Sequence, residues 1–162
     1  MPTSERILYY YVMIAENVPP EGSVVIMPNV LILAPTLSDT AYGPDTVTNI
    51  RIALESMIDD AHNREIIRNL DIDNITFSEG HTDVVLKGEI SGAGDVVLIA
   101  ARMMILMTVF TDVSVQTATV TLNGDTIGNL GVSNSMDAKP VDYVYTRAEI
   151  ETFIAENAYA SP

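Results

Sequence analysis

Residues 95–112, DVVLIAARMMILMTVFTD, form the most apolar part of the chain, and one charge, Arg102, sits in their middle. A membrane span, a core helix and a partner-facing surface could each show such a run. As a helix, residues 96–110 would cover only about 22 Å at ~1.5 Å per residue, against a hydrocarbon layer of about 30 Å. The run is too short to span, and Arg102 would sit near its centre. Asp95 suits an N-cap, Gly92 and Gly94 break the chain just before it, and Thr111 and Asp112 close it. The stretch therefore predicts a helix buried nearly all round. Arg102 is expected on the one face that reaches solvent, a loop carboxylate or a neighbouring subunit.

Working outward, the preceding segment, residues 71–90, holds two alternating runs around Glu79, Gly80, His81 and Thr82, which predicts a hairpin with a short loop. After the apolar helix, VQTATVTLNGDTIGNLG alternates Thr with Ala118, Val120 and Leu122. Asn123-Gly124 is a strong hairpin signal, so residues 126–130 should return antiparallel. Upstream, ILYYYVMIA at 7–15 is β-prone and ends in a Pro-Pro-Glu-Gly turn. SVVIM and VLILA follow as one interrupted strand or two short ones around Pro28, a residue suited to an edge or a bulge. Residues 36–44 read as turn. An amphipathic helix is then expected from Val47, Ile50, Leu54, Met57 and Ile58, and NREIIRNL reads as a short helix after it. At the other end, residues 141–145 read as extended. Thr146 and Glu149 have capping-box spacing at the head of a C-terminal helix.

This order, β-α-β-β-α-β, predicts an α+β fold with two main helices packed on one face of a mainly antiparallel sheet. The 162 residues suit a single domain over 1–162 with a core that needs no staples. At 48% hydrophobic and 19% charged residues, enough apolar surface is available to order the chain.

A net charge of −14, from 22 acidic and 8 basic residues, argues against nucleic acid, whose affinity comes mainly from Lys and Arg. The balance disfavours anionic headgroups and would suit a basic or neutral partner or a cation, although solubility alone is the simpler account. No cysteine is present, so disulfides, thiol catalysis and thiolate metal sites are excluded. The first twenty residues lack the basic start, apolar core and cleavage site of a signal peptide. The expectation is either a cytoplasmic protein or a chain already freed of its leader.

Each candidate for chemistry meets a simpler reading. SGAGD at 91–95 could cradle phosphate on backbone amides, but the third fingerprint position is Val97, no Lys-Ser/Thr follows, and Asp95 would repel an anion. A tight turn is the better reading. His81 and Asp83 could share one face and bind a metal, with His62 the only other imidazole, yet two ligands do not make a site. DIDN at 71–74 lacks the Gly and distal Glu of a calcium loop. Of Tyr9, Tyr10 and Tyr11, strand alternation sends one or two into the core. There is no nucleophile motif, and no spacing singles out two carboxylates. No catalytic, cofactor-binding or metal residue is assigned, and the protein is expected not to be an enzyme.

Several blocks together resemble the GerMN domain of spore-germination protein M and of many envelope lipoproteins. They are the opening strand ILYYYV, the helix NIRIALESMI, the pair ITFSEGHTDVVLKGEI, the helix VVLIAARMMILMTVF, VSVQTATVTLNGDTIG with its Asn-Gly turn, and AKPVDYVYTR, where a Pro precedes an Arg. The resemblance covers residues 6–147 and leaves 148–162 as a short helix and tail. Two loops depart from the family pattern: DDAHNREIIRNL stands where a Gly-Pro is usual, and ISGAGD replaces a more polar segment. The resemblance implies a module similar to ring-building motifs, without catalytic residues or cofactors. It further implies assembly or binding with protein partners, self-association included, outside the cytoplasm or in the cell envelope, with the leader or anchor removed. The alternative is a small-ligand or cation-binding envelope domain, and an enzyme with an unrecognised carboxylate site comes third.

Overall fold

A computed structural model describes residues 5–14, 18–28, 30–67, 69–91, 95–132 and 138–159. The fold is α+β, but its strands divide between two sheets instead of gathering in one. The first sheet holds β1 (Arg6–Ile14), β2 (Val24–Met27) and β3 (Leu31–Ala41) in the order β1-β3-β2, all antiparallel. The second holds β4 (Asn69–Ser78), β5 (His81–Glu89), β6 (Thr117–Leu122) and β7 (Asp125–Thr126), with β8 (Tyr145–Thr146) also paired to β6. Among the described strands only β5 and β6 run parallel, because α3 (Asp95–Val109) carries the chain between them. The other helices are α1 (Thr46–Asp59), the single turn α2 (Arg64–Ile67) and α4 (Arg147–Asn157).

The helices join the sheets. α1 packs against β1 of the first and β4 of the second, and α3 packs against β1 and α1. One continuous core results, in which Leu33, Leu54, Met104, Leu106, Leu86 and Val120 all take part. α3 is buried without a break from Met103 to Val109. Each such large side chain contributes about 1.5–3 kcal/mol on burial, so the most apolar segment anchors the core beside the first sheet, while α1 touches both sheets. Among the described residues no helix is long and apolar enough to cross a membrane.

Arg102 is half-buried and donates from Nη1 to the carbonyls of Gly128 at 3.2 Å and Leu130 at 3.1 Å. Its partners are thus loop carbonyls and not a carboxylate. Arg102→Ala should leave both carbonyls without this charged donor. It is expected to cost ~2 kcal/mol and lower the melting temperature by about 4–8 °C, measurable by calorimetry.

Several local expectations hold. Thr146 and Glu149 form a full capping box on α4. Asn123 and Gly124 turn with φ of 53° and 87°, and Glu79 and Gly80 do so with 50° and 83°. Both are left-handed pairs that suit two-residue hairpins. His81 and Thr82 belong to β5 rather than to the loop.

Other expectations are corrected. Residues 36–41 are strand, not turn, because β1 pairs with them through Tyr9↔Thr36, Leu8↔Leu37 and Arg6↔Ala41. Pro35 is tolerated in β3 because β2 pairs only with residues 31–33, leaving its other side without a ladder. The return after Asn123-Gly124 pairs at Asp125 and Thr126 alone and then becomes a 3₁₀ turn, Ile127–Asn129, capped by the Thr126 side chain. There Gly128 lies against the ring hydroxyl of Tyr145, where a Cβ would come within 2.5 Å of that oxygen. Asp95 is the first residue inside α3, where its carboxylate complements the helix dipole. Gly92 and Gly94 of the glycine loop lie outside the described residues.

Candidate functional site

A cleft of about 780 Å³ opens where the start of β1, the end of β3, the N-terminus of α1 and the turn after α3 meet. Its geometry begins with the N-cap of α1. Asp45 fixes the helix start, which turns Asn49 back onto the corner at Gly43. The Asn49 side chain accepts from the Gly43 amide at 2.9 Å and donates to the Gly43 carbonyl at 3.0 Å. The same amide nitrogen donates to Asp112 Oδ2 at 2.9 Å, linking α1 to the end of α3. Asp112 Oδ1 accepts from the Ser114 amide at 2.8 Å, so both carboxylate oxygens hold neutral donors.

Tyr42 forms the adjoining wall. Its hydroxyl accepts from the Leu8 amide at 3.2 Å and lies 3.4 Å from the Thr111 carbonyl, to which it donates. Arg147, the first residue of α4, braces the turn from behind. It donates to the carbonyls of Val115 at 2.8 Å, Phe110 at 2.9 Å and Asp112 at 2.7 Å. Asp112 and Asn49 are buried, whereas Val113 and Leu37 at the same cleft are exposed. The cleft therefore combines a fixed polar floor with an apolar rim, as ligand-holding pockets do.

A second cluster lies on the other side of β1. Tyr9 donates to Asp60 Oδ2 at 2.6 Å, and Asp60 Oδ1 lies 2.8 Å from His62 Nδ1 and accepts from the His62 amide. The His62 ring packs on Tyr11 with centroids 4.5 Å apart. Burial alone would raise the Asp60 carboxyl, but the hydrogen bonds from Tyr9 and His62 outweigh it and hold the group below the usual range. Burial and the Asp60 contact push the Tyr9 hydroxyl up. A carboxyl with a lowered folded-state pKa contributes stability that is complete above its unfolded value of about 4 and is lost as pH falls through the folded value. Tyr9→Phe should raise the Asp60 pKa, seen by carboxyl-carbon NMR titration, and flatten the loss of stability at acid pH. An unchanged titration would show that Tyr9 does not hold Asp60.

His81 and Asp83 do share one face, at 3.3 Å, and His81 Nδ1 lies 2.8 Å from Thr117 Oγ1. His62 is not brought to them; it belongs to the cluster with Asp60. Asp71 and Asn74 lie in β4, a strand with a register shift, and Asp73 beside them meets Lys87 at 3.6 Å. Among the described residues no three His, Asp or Glu side chains converge as a metal would require. Of the three tyrosines, Tyr10 is in the core and its neighbours are half-buried. The residues that build the cleft, Asn49, Tyr42 and Asp112, were not singled out by sequence. The available signal was Asn49, a polar residue one position before Ile50 on the apolar stripe of α1.

No family model, no curated protein and no solved structure matches the chain.

Proposed function

We propose that the protein is a non-enzymatic interaction module of GerMN type, working in the cell envelope through protein partners that include copies of itself. The observation that supports this is the apolar end of the first sheet. Ile14 and Met27 both pair with Leu31, Val30 adjoins them in the turn, and Val18 lines a groove with Ile14. Ile14, Val18, Met27 and Val30 are all exposed. Grouped apolar exposure of this kind marks contact surfaces in monomers that otherwise cover such groups.

The side of β1 away from β3 is closed. Its amides at Leu8, Tyr10 and Val12 donate to Tyr42, Thr108 and Asn63. Strand addition at that edge is blocked, and the exposed apolar end of the sheet is the contact surface of this proposal. Sedimentation velocity tests the reading. The average mass should rise with protein concentration and rise further with salt, because screening weakens repulsion between chains of charge −14. Ile14→Asp should weaken association by about tenfold or more, the equivalent of one apolar side chain lost from a contact. A monomeric mass under all these conditions would count against self-association.

The cleft favours a second reading, a small-ligand or cation-binding domain of the envelope. Its volume of about 780 Å³ lies within the range of ligand sites. Thermal stabilisation across a panel of small molecules and divalent ions tests that reading.

A further inference from the structure

The Asp112 carboxylate is the group in the cleft that its surroundings leave incompletely compensated. Asp112 is only 6% exposed, yet it lines the cleft. Its oxygens hold an amide of Asn49 and the backbone of Ser114, both neutral. Among the described residues no Lys, Arg or His lies within ion-pair distance of it. Arg147 approaches from behind but spends its donors on three carbonyls and reaches Glu151 at 3.7 Å. A buried charge is costly unless an opposite charge joins its hydrogen bonds.

We infer that the cleft binds an alkylammonium group, with the charged head on Asp112 and the carbon chain along Leu8, Leu37 and Val113. This rests on the ligand-binding reading of the cleft. An anion would meet Asp112 and the field of a strongly acidic chain. A neutral donor would leave the carboxylate without a counter-charge. A divalent ion is commonly held by several carboxylates, and among the described residues no three His, Asp or Glu side chains converge. An ammonium head carries the missing charge and three donors. Glu5 and Arg6, both at the cleft, carry opposite charges and do not supply a net field against it. The three apolar residues supply a wall for a short chain.

The experiment is a titration of the ¹⁵N-labelled chain, followed at the amides of Asn49, Thr111, Asp112 and Ser114. The probes are n-butylammonium, n-butanol and butyrate, which share one carbon chain. Only n-butylammonium should give saturable shifts at these amides. Asp112→Asn should weaken it at least tenfold. Should that variant fail to fold, Val113→Lys serves instead: the position is 80% exposed, and an ammonium tethered there should compete and weaken the probe at least tenfold, while Val113→Gln, which removes only the apolar contact, should weaken it several-fold less than Val113→Lys does. Nα-acetyl-lysine amide carries the same butylammonium end. Its tighter binding assigns the site to a protein lysine, and tighter binding of the free amine assigns it to a small molecule. Equal shifts with butanol or butyrate would overturn the ammonium assignment and leave the ligand-binding reading standing. Silence from all probes, together with no thermal shift in the wider panel, would overturn both.

Discussion

Arg147→Ala should lower stability by ~3–5 kcal/mol, because hydrogen bonds to a charged donor are each worth about 1.5–3 kcal/mol. In the chain of 162 residues this is a fall in melting temperature of about 6–20 °C. The guanidinium satisfies the carbonyls of Phe110, Asp112 and Val115 as the chain leaves α3. Phe110 directly follows α3, so its carbonyl lies at the negative end of that helix's dipole, which a cation complements. The ring of Phe110 also lies beneath the guanidinium, 5.6 Å from its carbon. Arg147→Lys should recover less than half of the loss, since a point charge cannot hold three carbonyls in a planar fork. Calorimetry of the two variants checks both numbers. A loss near 1 kcal/mol or full rescue by lysine would show that the turn is held by packing alone.

The second large effect is expected at Asn63, a buried side chain in the 3₁₀ turn Ala61–Asn63 between α1 and α2. Its oxygen accepts from the Val12 amide at 2.9 Å, and its nitrogen donates to the carbonyls of Met57 at 2.9 Å and Tyr10 at 3.3 Å. Asn63→Ala leaves the buried Val12 amide and the Tyr10 carbonyl without this partner, while the Met57 carbonyl keeps only the Asp60 amide at 3.4 Å, for an expected loss of ~3–4 kcal/mol by chemical denaturation. Asn63→Asp keeps the acceptor but loses both donors and buries a charge, so it should be no better at neutral pH. Beyond stability, the variant should expose the edge of β1 to pairing with other chains. Increased aggregation of Asn63→Ala under native conditions, beyond that of an equally destabilised Arg102 variant, is the accompanying expected result.

Both residues show where sequence reading reaches its limit. The helices, the two left-handed hairpin turns and the capping box were legible, because each depends on neighbours a few residues apart. Thr36 to Ala41 was misread because Ser, Asp and Thr favour turns locally, and only pairing with β1 makes that segment a strand. The division into two sheets was not legible either. Alternation tells which side of a strand is apolar but not which strand it joins. Asn63 meets β1 across 51 residues and Asn49 meets Asp112 across 63, separations at which single-chain periodicity carries no information. Arg147 was visible as the Arg that closes the GerMN-like segment, but its use, bracing the turn after α3, came only with the fold. Arg102 was read as the polar face of an apolar helix, and the correction concerns its partner more than its placement.

The central proposal, association through the end of the first sheet with the β1 edge closed, is tested most directly by residue-resolved amide hydrogen exchange in dilute and concentrated solution. The account predicts that concentration adds protection at Ile14, Met27 and Val30, while Tyr10 and Val12, already bonded to Thr108 and Asn63, exchange at the same slow rate in both. Protection that is independent of concentration at all five amides, or that appears first at Tyr10 and Val12, would contradict it.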